Sequence, residues 1–178
     1  MPQLTAYDKF VQQALKYGFS LFGLPKTGQT AVYQAGDDGT YKKGYPKTGT
    51  RFVDNGDGTI TDKATGLMWV QDGTGAGCNN GATLTWNNAI DWAEGLTFAT
   101  YSDWRLPNVK ELQSIVDYGR VSPAIDPVFI NTQSGYYWSS TTYAGGSGYA
   151  WVVDFLDGYV GLDGKDSAYY VRAVRAGQ

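Results

Sequence analysis

No histidine occurs in the 178 residues, and cysteine occurs once, as Cys78. The first absence removes imidazole as general base and as metal ligand, which excludes Ser-His-Asp and Cys-His catalysis. The second excludes an internal disulfide and a multi-thiolate zinc site, and leaves Cys78 as an ordinary thiol in a Gly/Asn loop. Lysine and arginine total 14 against 17 acids, giving a net charge of −3 and a pI near 4.8 with no basic run. Nucleic-acid binders carry the opposite footprint. An apolar span of about 18 residues is missing, as is a basic stretch leading into an apolar core, so the sequence predicts neither a membrane helix nor a secretory signal.

Glycine and aromatic residues are in excess: 24 Gly, 14 Tyr, seven Phe and six Trp, where glycine averages about 7% of residues. One loop-rich domain with a sizeable core is expected at this length. Residues 135–175 concentrate the excess in short strands joined by turns. Trp138, Trp151, Val153, Phe155, Val160, Val171 and Val174 recur at the spacings of one strand face and read as scaffold. Interleaved with them are Tyr143, Gly145, Gly146, Ser147, Tyr149, Asp154, Asp157, Tyr159, Asp163, Asp166, Ser167 and Tyr169. Antibody paratopes use the same palette, in which Tyr supplies rigid contact area and Gly or Ser adaptable hydrogen bonding. The dipeptides Asp157-Gly158 and Asp163-Gly164 predict hairpin turns. Between Tyr136 and Tyr170 there is no Glu or Gln, and Lys165 is the only long cation, whereas a merely solvated sheet is dressed in both signs.

Earlier in the chain, residues 4–22 carry Tyr7, Phe10, Val11, Ala14 and Leu15 at helical spacing after Thr5, and predict an amphipathic helix ending near Gly18. It reads as an assembly or attachment segment over 1–23, or as a helix docked on its own domain. Residues 24–50 predict an ordered loop region with one or two short edge strands. Residues 51–62 predict a hairpin around Asn55–Gly58, and Leu67 and Trp69 share one side of the next strand. The acidic turn Asp54–Asp57 invites calcium, but its spacing fails the EF-hand loop, so turn chemistry is expected there. Thr85 caps a predicted helix over TWNNAIDWAEGL that points Asn87, Asp91 and Glu94 outward. Pro107 at a first helical position starts another, NVKELQSIVDY, burying Val109, Leu112, Ile115 and Val116.

The ordered series DNGDGT, GLMW, TWNNAIDWAEGL, DWRLPN, WSST, AWVVDF and VRAVR resembles the C-terminal domain family of the Legionella collagen-like protein, over about residues 24–178. That family is similar to C-type lectin-like folds. The resemblance implies an α+β domain with two main helices packed on a twisted, mainly antiparallel sheet, and residues 135–175 as a ligand face. Members of the family also resemble targets of diversity-generating retroelements, in which randomised adenines turn Asn codons into Tyr, Asp, Gly or Ser but not Glu, Gln or Trp. On that resemblance Tyr143, Gly145, Gly146, Ser147, Tyr149, Asp154, Leu156, Asp157, Tyr159, Asp163, Gly164, Asp166 and Tyr169 are varied contact positions. Tyr137 joins them in the candidate ligand-binding set. Trp138, Ser139, Ser140, Trp151, Phe155, Val171 and Arg172 match the invariant frame. The calcium triplets of sugar-binding C-type lectins are missing, since RLPN lacks the Glu and WNN lacks the Asp. The cysteine pair of the similar formylglycine-generating enzymes is missing too, and no collagen-like repeat precedes the domain.

Recognition without chemistry is therefore expected: a binding protein of a virus, prophage or host, placed at a virion or cell surface, with a protein or glycan ligand. No cofactor, metal, nucleic acid or membrane insertion is expected, and self-assembly or attachment to a larger particle remains open. The alternatives are a fixed-sequence carbohydrate-binding adhesin, a structural assembly subunit, and a hydrolase built on Asp154 with Asp157.

Overall fold

The computed structural model describes residues 24–45 and 51–177; the helix expected over 4–22 falls outside them. Within them lie helices α1 (Asp38–Tyr41), α2 (Trp86–Glu94) and α3 (Val109–Ser114). The strands are β1 (Phe52–Asp54), β2 (Thr59–Asp62), β3 (Leu67–Val70), β4 (Tyr136–Thr142), β5 (Tyr149–Asp154), β6 (Val160–Gly164) and β7 (Val174–Ala176). They form two antiparallel sheets, ordered β1-β2-β3-β7 and β4-β5-β6, so the fold is mixed helix and sheet with few helices.

The first hairpin forms where the sequence places it, because its own acids hold the turn. Asp54 accepts the Gly56 N–H at 2.8 Å, and Asp57 accepts the Thr59 N–H at 3.0 Å and its hydroxyl at 2.6 Å. β3 then buries residues on both faces, with Trp69 in one core cluster and Met68 and Val70 in another. In the 24–45 stretch the expected edge strands reduce to one bridge, Pro25 with Tyr45, beside α1 capped by Asp37.

α2 occupies the predicted stretch and buries Ala89 and Ala93 while Asn87, Asp91 and Glu94 stay exposed. Thr85 stands at its N-cap position, yet its hydroxyl makes no capping bond. α3 starts two residues after Pro107, the expected first helical position. Asn108 is the cap: its side chain accepts from Lys110 and Glu111 N–H at 2.9 Å, and Glu111 accepts from the Asn108 N–H at 2.8 Å, a reciprocal capping box. Pro107 thus precedes the cap. The helix also stops at Ser114 rather than Tyr118, because Val116 leaves to bridge Ile125 and the Asp117 N–H turns to Ala124 O.

The β4-β5-β6 sheet sits between these helices, and packing covers both of its faces. Tyr137 and Val153 face the cluster that contains Leu112, Ile115 and Val116, while Trp138, Val152 and Ala150 face Ala89 and Ala93. One apolar face was expected. Instead Val152 is buried as completely as Val153, and Trp151 is only half-buried.

One buried ion pair and several further arginine contacts tie the parts together. Arg51 and Asp62, both fully buried, form a two-pronged pair at 2.7 and 2.6 Å, and the same guanidinium reaches Ser114 O at the end of α3. Arg172 donates to Val70 O, Gln71 O and the Thr132 hydroxyl. Asp103 pairs with Arg175, whose guanidinium also lies over the Tyr101 ring, and Arg105 grips Glu111 with two bonds of 2.7 Å. Cys78 is buried, which pushes its thiol above the usual range.

Candidate functional site

The β4–β5 hairpin closes through Tyr143 N–H to Tyr149 O at 3.0 Å, and its tip carries Gly145, Gly146 and Ser147. Tyr143 and Tyr149 are exposed, and the Tyr143 ring meets the Trp151 ring edge-on with centroids 6.2 Å apart. An added Cβ at 145 would come within 2.6 Å of the Tyr143 ring, so a side chain there has only to displace that exposed ring. Register puts Tyr149, Trp151 and Val153 on one face of β5, opposite Gly164, Leu162 and Val160. Leu162 is 39% exposed, so that face ends in an open aromatic and aliphatic patch.

At the other end of β5 the turn Phe155–Tyr159 presents Leu156, Asp157 and Tyr159, all exposed. Gly158 is required twice here: its φ is +90°, and a Cβ would strike Val116 at 2.5 Å. Tyr159 lies over Gly161, where a Cβ would come within 2.5 Å of the ring. This end belongs to the opposite face, with Tyr136 beside Asp154 and with the Tyr169 ring packed at a tilt against Tyr136 and Trp138, centroids 5.2 and 5.0 Å apart.

Asp163 anchors that side. It accepts the Tyr169 hydroxyl at 2.5 Å, the Gly164 N–H at 2.6 Å and the Ser167 hydroxyl at 3.1 Å. The Tyr169 hydroxyl above all holds the Asp163 carboxyl below the usual range. Burial, and then the bond to Asp163, pushes Tyr169 up to about 12. Burial and the Asp154 charge likewise raise Tyr136. The ammonium of Lys165 lies 3.7 Å over the Trp86 ring and donates to the Thr142 hydroxyl. The aspartates Asp154, Asp157, Asp163 and Asp166 thus outnumber the one long cation of the stretch, Lys165, which is already engaged.

Two candidates depart from the expected surface role. Tyr137 is a core residue: fully buried, its hydroxyl accepts the Gln133 N–H at 2.9 Å, its ring packs on Phe155 and Tyr170, and burial pushes its pKa up to about 12. Asp154 is also buried and accepts the Leu156 N–H at 2.8 Å. Asp157 accepts the Tyr159 N–H, so the two carboxylates weighed as a hydrolytic pair each hold their own turn. Asp163-Gly164, expected to be a hairpin turn, instead pairs with β5 as the end of β6.

The remaining candidates do not form one cluster. They occupy both ends of β5, about 17 Å apart for a six-residue strand, and opposite faces of it. β6 runs between the two groups, and its Leu162, together with half-exposed Trp151, was missed as surface. The VGLDG alternation was the available signal.

A mixed α+β domain that mounts exposed tyrosines on a buried tryptophan frame is, as a class, a binding domain. More narrowly, the chain belongs to the Lcl C-terminal domain family, whose model matches residues 58–175. The match begins at the end of the first hairpin turn, inside the wider span expected from the motifs. No curated protein matches the chain.

Proposed function

We propose that the chain is a ligand-binding protein with a C-type lectin-like domain, whose exposed positions between Tyr136 and Tyr170 are diversified by a retroelement. One observation carries this reading: within a single stretch Tyr143, Tyr149 and Tyr159 are exposed, while Tyr137, Trp138 and Phe155 are fully buried. A frame so completely packed keeps its shape when the exposed residues change, and exposed tyrosines offer contact area at low entropic cost. Recognition, not catalysis, is the activity, and a protein or glycan at a virion or cell surface is the ligand. The acidic balance disfavours nucleic acid. Among the described residues no helix is long and apolar enough to cross a membrane, in keeping with a partner met in water.

The test has a genetic and a binding arm. An imperfect copy of the codons for 136–175, differing at adenines and lying beside a reverse transcriptase gene, is expected. In addition, a triple variant with Tyr143, Tyr149 and Tyr159 changed to Ala should keep its melting temperature and lose ligand. Unfolding of that variant overturns the reading. A fixed-sequence carbohydrate-binding adhesin is the second reading, favoured by the family; glycan-array binding without the adenine signature would establish it.

A further inference from the structure

The outer edge of β6 is open and joins the two halves of the tyrosine surface. β6 is the last strand of its sheet, paired on one side only. The Asp154 N–H donates to Tyr159 O at 2.7 Å and the Lys165 N–H to Gly148 O at 2.9 Å, and the register between them is continuous. Antiparallel alternation then assigns the main-chain groups of Tyr159, Gly161, Asp163 and Lys165 to the β5 side, and those of Val160, Leu162 and Gly164 to the outside. Gly164 is already satisfied, its N–H by the Asp163 carboxylate and its C=O by the Ser167 N–H at 3.0 Å. The N–H and C=O groups of Val160 and Leu162 have no partner among the described residues.

The geometry points to strand addition: β6 receives an extended, basic segment of a partner protein along Val160–Leu162. This rests on the reading of residues 136–170 as a binding face. A strand laid against Leu162 alternates its side chains between the two faces of the sheet. A residue opposite Leu162 lies on the face of Trp151 and Tyr149, which is aromatic and apolar. Its two neighbours lie on the face of Tyr159 and the ionised Asp163, with Asp157 exposed in the turn that precedes β6. Basic, apolar, basic is the order that this surface complements. The aspartates also choose between occupants. In the antiparallel register centred on Leu162, a second copy of β6 would set Asp163 against Gly161 and bring no cation to it, whereas lysine or arginine meets both the carboxylate and the tyrosine ring.

The test uses the full chain and three labelled peptides of about eight residues, the length of an ordinary strand: alternating Lys/Val, alternating Glu/Val, and a Lys block followed by a Val block. Binding is read by fluorescence anisotropy. The alternating Lys/Val peptide should bind about tenfold more tightly than the other two, which is about 1.4 kcal/mol, and should weaken with salt. Leu162→Pro deletes an outward N–H that β5 does not use and is tolerated on an edge. It should cost about tenfold more affinity than Leu162→Ala, with both variants melting near the parent. Equal binding of the three peptides, absence of binding, or equal losses in the two variants overturns strand addition. If ligand capture still depends on Tyr143, Tyr149 and Tyr159 while Leu162→Pro binds as Leu162→Ala does, strand addition fails and the binding face stands. If neither set of changes affects binding, both fail. Dimerisation abolished by Leu162→Pro would assign the edge to a second copy and overturn the partner named here.

Discussion

Residues 103–108 and residues 143–166 are both rich in polar groups and turns, and they use them in opposite ways. In DWRLPN nearly every side chain is committed inward or to a neighbouring element. Asp103 holds Arg175, Trp104 is buried and donates to Phe98 O, Arg105 grips Glu111, and Asn108 caps α3. From Tyr143 to Asp166 the turns are held by main chain and by short Asp–amide bonds, while the large side chains Tyr143, Tyr149, Leu156 and Tyr159 face water. The difference teaches where substitution is tolerated. A motif whose polar atoms bond to distant elements resists change at each position, and a loop that supports itself locally leaves its side chains free for another molecule.

The comparison breaks first at its most buried points. Trp138→Ala should cost about 3–5 kcal/mol in chemical denaturation, because Trp138 is fully buried and donates to Leu84 O. Asp62→Ala should cost a similar 3–5 kcal/mol by stranding the buried Arg51 guanidinium. A loss below about 1 kcal/mol in either would dissolve the contrast between frame and face.

Alkali provides the next test. The folded pKa of Tyr137 is raised from 10.0 to about 12, so the folded chain holds its proton after the unfolded chain has released it. The stabilisation is complete below about pH 10 and is lost as pH rises towards 12, amounting to about 2 kcal/mol. Denaturation midpoints at the two pH values should show this fall, and Tyr137→Phe should reduce it, leaving the part that the raised Tyr169 and Tyr136 contribute.

Trp151 sharpens the boundary, since it belongs to the frame motif yet is only half-buried. Trp151→Ala should cost about half as much as Trp138→Ala, roughly 2 kcal/mol, and should also weaken ligand binding. Smallest of all, Tyr143→Ala, Tyr149→Ala and Tyr159→Ala should each change stability by no more than about 0.5 kcal/mol, and a larger loss in any of them would move that tyrosine from the face to the core.

Local signals made much of this legible in the sequence. The Asn55–Gly58 and Asp157-Gly158 turns and the strands they join follow from residue types a few positions apart, because turn residues act through bonds inside the segment. Position along a strand was legible as well, and it placed Tyr143, Tyr149 and Tyr159 at turns and strand ends. Tyr137 was not separable from them by type: tyrosine serves a core as well as a surface, and only the packing of Phe155 and Tyr170 around it settles which. Likewise nothing in RFVD or TITD announces that Arg51 and Asp62 are sealed together beneath α3.

The sequence by itself determined the family, the antiparallel hairpins and the tyrosine-aspartate composition of the last strands. Tertiary structure alone decided that helices cover both faces of β5, that the candidate residues divide between its two ends, and that β6 is left with a free edge. The physical reason is range. Turn and strand preferences arise within a few residues, whereas burial, buried charge pairing and edge exposure depend on which distant elements come to rest against one another.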